Sequence, residues 1–137
     1  MPGKEGKTFI DTNILIYLSH DPGKGPKVAD ALLKIPELTI STQVINEFCN
    51  VSLKRLGLSP AKVAELVIGF SELYSIATIS PATTLKALQI NEKYRYSFYD
   101  SMIIASALES DCNMLLTEDM QDSQTIERKL TITNPFR

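Results

Sequence analysis

With 137 residues, 44% of them hydrophobic, the chain holds enough apolar sequence for one domain with a substantial core and too little length for two. No run approaches the ~20 apolar residues of a membrane-spanning helix, and the polar residues 1 to 8 do not form a secretory leader, so a cytoplasmic protein is expected. A formal net charge of −2 excludes a protein that grips nucleic acid through a strongly basic surface, and two cysteines without a nearby histidine imply no zinc centre.

In chain order, residues 1 to 7 read as a flexible N-terminal segment of a single domain spanning 1 to 137. A strand near 7 to 11 ends in Asp11-Thr12-Asn13, and the apolar Ile14-Leu15-Ile16-Tyr17-Leu18 predicts a helix over 13 to 19, with His20 a surface residue at the start of a loop. Asp21-Pro22-Gly23-Lys24-Gly25-Pro26 is a loop by composition and lacks the spacing of a phosphate cradle. A helix over 25 to 35 and a strand near 37 to 41 lead into a helix over 42 to 56, where Val44, Phe48 and Val51 form an apolar stripe with Glu47 on its edge. Ser59-Pro60 and Ser80-Pro81 are cap-then-proline starts for helices over 60 to 73 and 81 to 94, with a strand near 75 to 79 between them. A helix over 100 to 110 follows, whose Ala105, Ser106 and Ala107 either permit close approach to a sheet or simply favour helix. A strand near 113 to 117, a helix over 122 to 128 and a strand near 130 to 133 complete the chain. The alternation predicts a three-layer α/β/α fold with a central, mainly parallel sheet of about five strands, in which Cys49 and Cys112 are reduced core thiols.

Four acids interrupt this apolar pattern. Asp11 closes the first strand, where ligand crevices of α/β sheets lie. Asp119 follows the similar run Met114-Leu115-Leu116-Thr117-Glu118. Asp100 stands in the first turn or at the cap of the helix that begins after Ser97-Phe98-Tyr99, facing the positive end of its dipole. Glu47 can lean from its helix edge into the same space. Taken singly, each has a plain structural role: Asp11 and Asp100 as caps, Glu47 as a solvated flank, Asp119 as turn chemistry. As a set they suggest one carboxylate cluster, all oxygen, which selects Mg²⁺ or Mn²⁺ over zinc or copper. Thr12, Asn13 and Thr117 are polar neighbours suited to orienting carboxylates or water, or to local capping.

In this order, the blocks Phe9-Ile10-Asp11-Thr12-Asn13, Ile45-Asn46-Glu47-Phe48, Tyr99-Asp100 with Ile103-Ile104-Ala105-Ser106-Ala107, and Leu116-Thr117-Glu118-Asp119-Met120-Gln121-Asp122 resemble the PIN domain, specifically its VapC-type toxin ribonucleases. Ile132-Thr133-Asn134-Pro135-Phe136 is similar to that family's usual end, and Asp122-Ser123-Gln124 stands where the family usually has a glycine. The resemblance implies a Mg²⁺- or Mn²⁺-dependent endoribonuclease with Asp11, Glu47, Asp100 and Asp119 as catalytic metal ligands. It also implies an antitoxin protein partner in the acidic cleft and a homodimer. Asp119 matches the family's fourth acid, strand alternation sends Glu118 to the other side, and Asp122 is at most an auxiliary ligand.

Lys93, Arg95 and Tyr96, just before Asp100, are candidate RNA contacts, or else a helix C-terminus with favourable cations and half-buried tyrosines; Lys54 and Arg55 carry the same two readings. Val63, Leu66, Val67 and Phe70 are either a dimer surface or ordinary core. A receiver-type phosphoacceptor lacks its paired acid here, and a dehalogenase-like phosphatase lacks Asp-x-Asp, since Asp11-Thr12-Asn13 stands in that place. The alternative that survives is a PIN-like module that binds RNA or protein without cleaving.

Overall fold

The computed structural model describes residues 6–137. Of the expected flexible segment, positions 1 to 5 lie outside the described residues, and Lys7 already belongs to the first strand. The elements are β1 (Lys7–Ile10), α1 (Thr12–His20), α2 (Gly25–Leu33), β2 (Glu37–Ser41), α3 (Thr42–Lys54), α4 (Pro60–Leu73), β3 (Ser75–Ala77), α5 (Pro81–Tyr94), α6 (Phe98–Glu109), β4 (Cys112–Leu116), β5 (Thr125–Ile126) and β6 (Leu130–Thr133). The sheet runs β3-β2-β1-β4-β6-β5, parallel throughout except where β5 meets β6.

Local chemistry accounts for most boundaries. The Ser59 and Ser80 hydroxyls accept the N–H groups of Lys62 and Thr83, with a proline in the first turn of each helix, so α4 and α5 begin where the sequence places them. Ser97 caps α6 two residues earlier than expected, which puts Asp100 in its first turn. From Ser101 to Leu108 every residue of α6 is buried, Ala105, Ser106 and Ala107 included, because the helix is enclosed between α5 and the sheet. Phe9, Ile10, Leu115, Leu116, Ile103, Ile104 and Phe48 form the centre of the core, each contributing roughly 1.5–3 kcal/mol by leaving water. Both cysteines are free; burial pushes the Cys112 thiol up to about 11 and raises that of half-buried Cys49.

His20 is not a surface residue at a loop start: it ends α1, half-buried, with its ring stacked on Phe48 at 5.5 Å. Burial lowers its pKa, with Lys62 adding to the effect.

The expected helix over 122 to 128 does not form, and the sheet has six strands where about five were expected. The segment is instead a hairpin arm. Asp122 accepts the Asn134 N–H at 2.7 Å, and the Ser123 and Ile132 N–H groups exchange bonds with the carbonyls of Ile132 and Gln124. Ser123, Glu127 and Arg128 all have positive φ, which no helix accommodates. Long-range partners hold this turn. Glu127 receives Lys93 at 2.8 Å and the Tyr94 hydroxyl at 2.8 Å, both from the end of α5, while Ile126 is fully buried. A glutamate and an arginine at the turn carry no hairpin signal, since glycine or asparagine is the usual marker.

Ser123→Gly is therefore expected to leave the urea midpoint unchanged or raise stability by up to about 1 kcal/mol, and Ser123→Val to lower it by a similar amount. A helical segment would show the opposite order, glycine being the costlier of the two.

Candidate active site

β1 and β4 are neighbours, but β1 also borders β2 on one side while β4 borders β6 on the other. A crevice opens beyond the carboxyl ends of strands at such a switch point. The Asp11 N–H donates to the Leu116 carbonyl at 3.0 Å, so Asp11 emerges from β1 level with Thr117 at the end of β4. Glu47 comes to the same place from the second turn of α3, which starts directly from β2, and Asp100 from the first turn of α6.

Asp11 is only 5% exposed. One carboxylate oxygen accepts the Thr12 N–H at 2.7 Å; the other accepts the Thr117 hydroxyl at 2.8 Å and, at 3.4 Å, the Asn13 amide. Burial lifts its pKa from 3.8 to about 7; the bonds from Thr117 and Thr12 oppose the rise, and the charges of Asp100 and Glu47 add to it. Half-buried Asp100 is raised by burial, then by the charge of Asp119 and, more weakly, of Glu47, with a bond from Ser97 opposing. Asp11 thus feels the charges of Asp100 and Glu47, and Asp100 those of Asp119 and Glu47.

Neutral donors hold the others. The Thr12 hydroxyl donates to Glu47 at 2.6 Å. Asn13 bridges: its amide N–H donates to Asp119 at 2.9 Å and its oxygen accepts the Glu118 N–H at 3.2 Å. The Asp119 N–H in turn donates to the Thr117 hydroxyl at 3.1 Å. Glu118 points elsewhere, accepting the Tyr17 hydroxyl and Lys24 Nζ at 2.9 Å, and these two partners hold its carboxyl below the usual range. Asp122 is engaged by Asn134 and Ser123 and has no recorded bond to the four acids.

Among the described residues, no ion pair includes Asp11, Glu47, Asp100 or Asp119, and no three of them form a ready-made chelating group. Oxygens of Asp11, Glu47 and Asp119 accept instead from hydroxyls, the Gln43 and Asn13 amides and the Thr12 N–H. The donor set still fits a hard divalent ion: it is all oxygen, borne by separate elements, with charge unmatched by lysine or arginine.

Lys93 and Tyr96 are committed to the hairpin arm, Lys93 to Glu127 and Tyr96 to Gln124 and the Gln121 N–H. Arg95 is exposed in the left-handed cap of α5. Lys54 and Arg55 are exposed two turns beyond Glu47, at the far end of α3. Two residues of the site carry no strong mark in the sequence. Gln43, one turn before Glu47, donates from Nε2 to Glu47 at 3.3 Å and to the Tyr99 carbonyl at 3.2 Å, an i,i+4 spacing that could have revealed the first of these bonds. Tyr99 is 63% exposed beside Asp100, which no periodicity announces.

The family model described as PIN domain matches residues 8–124, a span containing all four acids. This chain belongs to the PIN domain family. No curated protein matches the sequence. Among solved structures, this PIN domain is similar to a toxin–antitoxin complex from Klebsiella pneumoniae (TM-score 0.72, 22% identity, covering 93% of this chain and 97% of that one). It is also similar to the sarcin-ricin loop cleaving toxin VapC20 of Mycobacterium tuberculosis (0.67, 18%, 79% and 86%). A third is the DNA-bound VapBC of Salmonella typhimurium (0.70, 18%, 94% and 98%). At these identities the likeness is one of fold.

A carboxylate whose folded pKa lies above its unfolded value contributes stability that is complete below the unfolded pKa and lost as pH rises through the folded one. For Asp11 that window runs from about 4 to about 7. In EDTA the parent is expected to lose stability between pH 5 and pH 8, and Asp11→Asn to lose distinctly less, by urea melts at the two pH values. Equal losses would mean that the buried carboxyl does not titrate in this window.

Proposed function

We propose that this PIN domain is a metal-dependent endoribonuclease that hydrolyses RNA phosphodiester bonds, acting in the cytoplasm as the toxin of a toxin–antitoxin pair. The observation that carries the reading is the crevice itself: four carboxylates from separate elements, linked through the charge of Asp100, with hydroxyl and amide donors on them and, among the described residues, no ion pair to any of the four. Fold likeness to VapC20, described as cleaving the sarcin-ricin loop, and to toxin–antitoxin complexes supports the direction of the proposal.

Asp11, Glu47, Asp100 and Asp119 would hold Mg²⁺ or Mn²⁺, which supplies an acidified water and a countercharge for the leaving oxygen. The chain's own part is orientation. Thr117 and the Thr12 N–H fix both oxygens of Asp11, the Thr12 hydroxyl fixes Glu47, and Asn13 sets Asp119 against the turn after β4. No histidine is present to act on a 2′-hydroxyl: His20, the chain's single one, packs on Phe48 at the opposite end of α1. Water is therefore the nucleophile, and fragments carry 5′-phosphate and 3′-hydroxyl ends.

An antitoxin polypeptide is the proposed protein partner and a second copy the proposed dimer partner. Within the surface considered for dimerisation, Val63 and Phe70 are core; the exposed apolar residues nearby are Ile68, Leu53, Leu56 and Leu73, with Leu66 and Val67 half-buried.

Cleavage of single-stranded RNA should need Mg²⁺ or Mn²⁺ and stop in excess EDTA; persistence in chelator, or products ending in 2′,3′-cyclic phosphate, would refute the mechanism. RNA binding without cleavage in Mg²⁺ or Mn²⁺ would leave the non-catalytic module. Asp119→Asn should cost roughly a hundredfold or more in kcat/KM, and Glu118→Gln far less, because Glu118 is tied to Tyr17 and Lys24.

A further inference from the structure

Tyr96 stands between two of the four acids and has no recorded bond to either. It packs half-buried against the core just before α6, and its hydroxyl crosses to the segment after Asp119, donating to the Gln124 side chain and accepting the Gln121 N–H at 3.2 Å. Its carbonyl is held from the other side, by the Asn91 amide at 2.6 Å and the Ser101 hydroxyl at 3.4 Å. Ser101 follows Asp100 in the chain, and Ser97, which follows Tyr96, caps α6 by accepting the Asp100 N–H at 3.2 Å. Gln121 is separated from Asp119 only by the buried Met120. One residue therefore holds the start of the third acid's helix through its carbonyl and the loop of the fourth acid through its hydroxyl. Immediately before it, Arg95 has φ 68°, a backbone conformation that a non-glycine residue keeps only when its surroundings hold it. The charge of Asp119 acts on Asp100, so repulsion drives these two acids apart and a tie across them opposes it.

We propose that Tyr96 is a positioning residue whose hydroxyl ties the Asp119 loop to the start of α6, setting the spacing of Asp100 and Asp119 for a shared divalent ion, and that it is not an RNA contact. The proposal rests on the nuclease reading for the use of the two acids. The single proton of the hydroxyl is spent on Gln124 and a lone pair on the Gln121 N–H, which leaves little for a substrate. Tyr94 supplies the comparison. Its hydroxyl also has two bonds, to the Glu127 carboxylate at 2.8 Å and from the Glu127 N–H at 2.9 Å, but these secure the far turn of the hairpin and not the loop of the fourth acid.

The test follows Mn²⁺ binding to the full-length protein without RNA, from the EPR signal of the free ion, in the parent, Tyr96→Phe and Tyr94→Phe. Each variant keeps its ring and loses a hydroxyl with two partners, and urea melts check that both fold. Tyr96→Phe should weaken Mn²⁺ binding roughly tenfold, and Tyr94→Phe by less than about twofold. Cleavage by Tyr96→Phe should need correspondingly more Mn²⁺ and, once the ion is saturating, show the parent's KM for RNA. Unchanged Mn²⁺ affinity with a raised KM would make Tyr96 an RNA contact, and equal weakening by both variants would make it general scaffold; either result overturns the proposal. A second arm needs neither metal nor RNA. In EDTA at pH 8, Tyr96→Phe should lower the urea midpoint less in the parent than in Asp119→Asn, where no repulsion remains for the lost tie to relieve; equal losses in the two backgrounds overturn the proposal as well. A parent that binds Mn²⁺ without cleaving RNA removes the nuclease reading and keeps the tie. Cleavage by a parent whose Mn²⁺ affinity Tyr96→Phe leaves untouched removes the tie and keeps the nuclease, and a parent that binds no Mn²⁺ overturns both.

Discussion

Like-charge crowding at the β1/β4 switch point is the constraint on which the rest of the structure depends. Asp11 could leave water only because Thr117 and the Thr12 N–H replace its hydration, and even so its carboxyl is pushed up to about 7. A lysine in the same place would have relieved the repulsion. Hydroxyls and one amide instead hold the anions without neutralising them, so the crevice keeps its charge. The residues doing this flank Asp11 and Glu118-Asp119 in the chain, yet their side chains serve acids on other elements: Thr12 holds Glu47, Asn13 holds Asp119 and Thr117 holds Asp11.

That arrangement is only as firm as the turn after β4, which must hold Asp119 toward the crevice and Glu118 away from it. Two sets of contacts fix the turn. On one side Glu118 is gripped by Tyr17 and Lys24, with Lys24 also lying over the rings of Tyr17 and Phe136. On the other, the hairpin arm from Asp122 to β6 is tied to the end of α5 through Glu127, Tyr94 and Tyr96. Lys93, Tyr94 and Tyr96 thus tie the segment after the fourth acid to the end of α5 and the link that leads into the third acid's helix, a use that competes with any direct grip on RNA.

Gln43 plays the same joining part across the crevice. It reaches from α3 to the backbone of α6 and touches Glu47 on the way, so the second acid and a neighbouring cavity share one support.

The alternation of strands and helices, the cap-and-proline starts at Ser59 and Ser80, and the four acidic blocks were legible in the sequence because each depends on neighbours within a turn or on hydrophobic period. The placement of Asp11, Glu47, Asp100 and Asp119 beside one another was legible only as a pattern of blocks; their shared burial and the Asn13 bridge needed the parallel order β2-β1-β4, which brings residues more than a hundred positions apart into contact. The segment 122 to 128 went the other way: its composition suits a helix, and the partners that force positive φ at Ser123, Glu127 and Arg128 come from α5 and β6. Gln43 and Tyr99 were silent for a related reason. What marks them is an acceptor left unmatched and a ring left in water, and a chain acquires burial and exposure only when it folds.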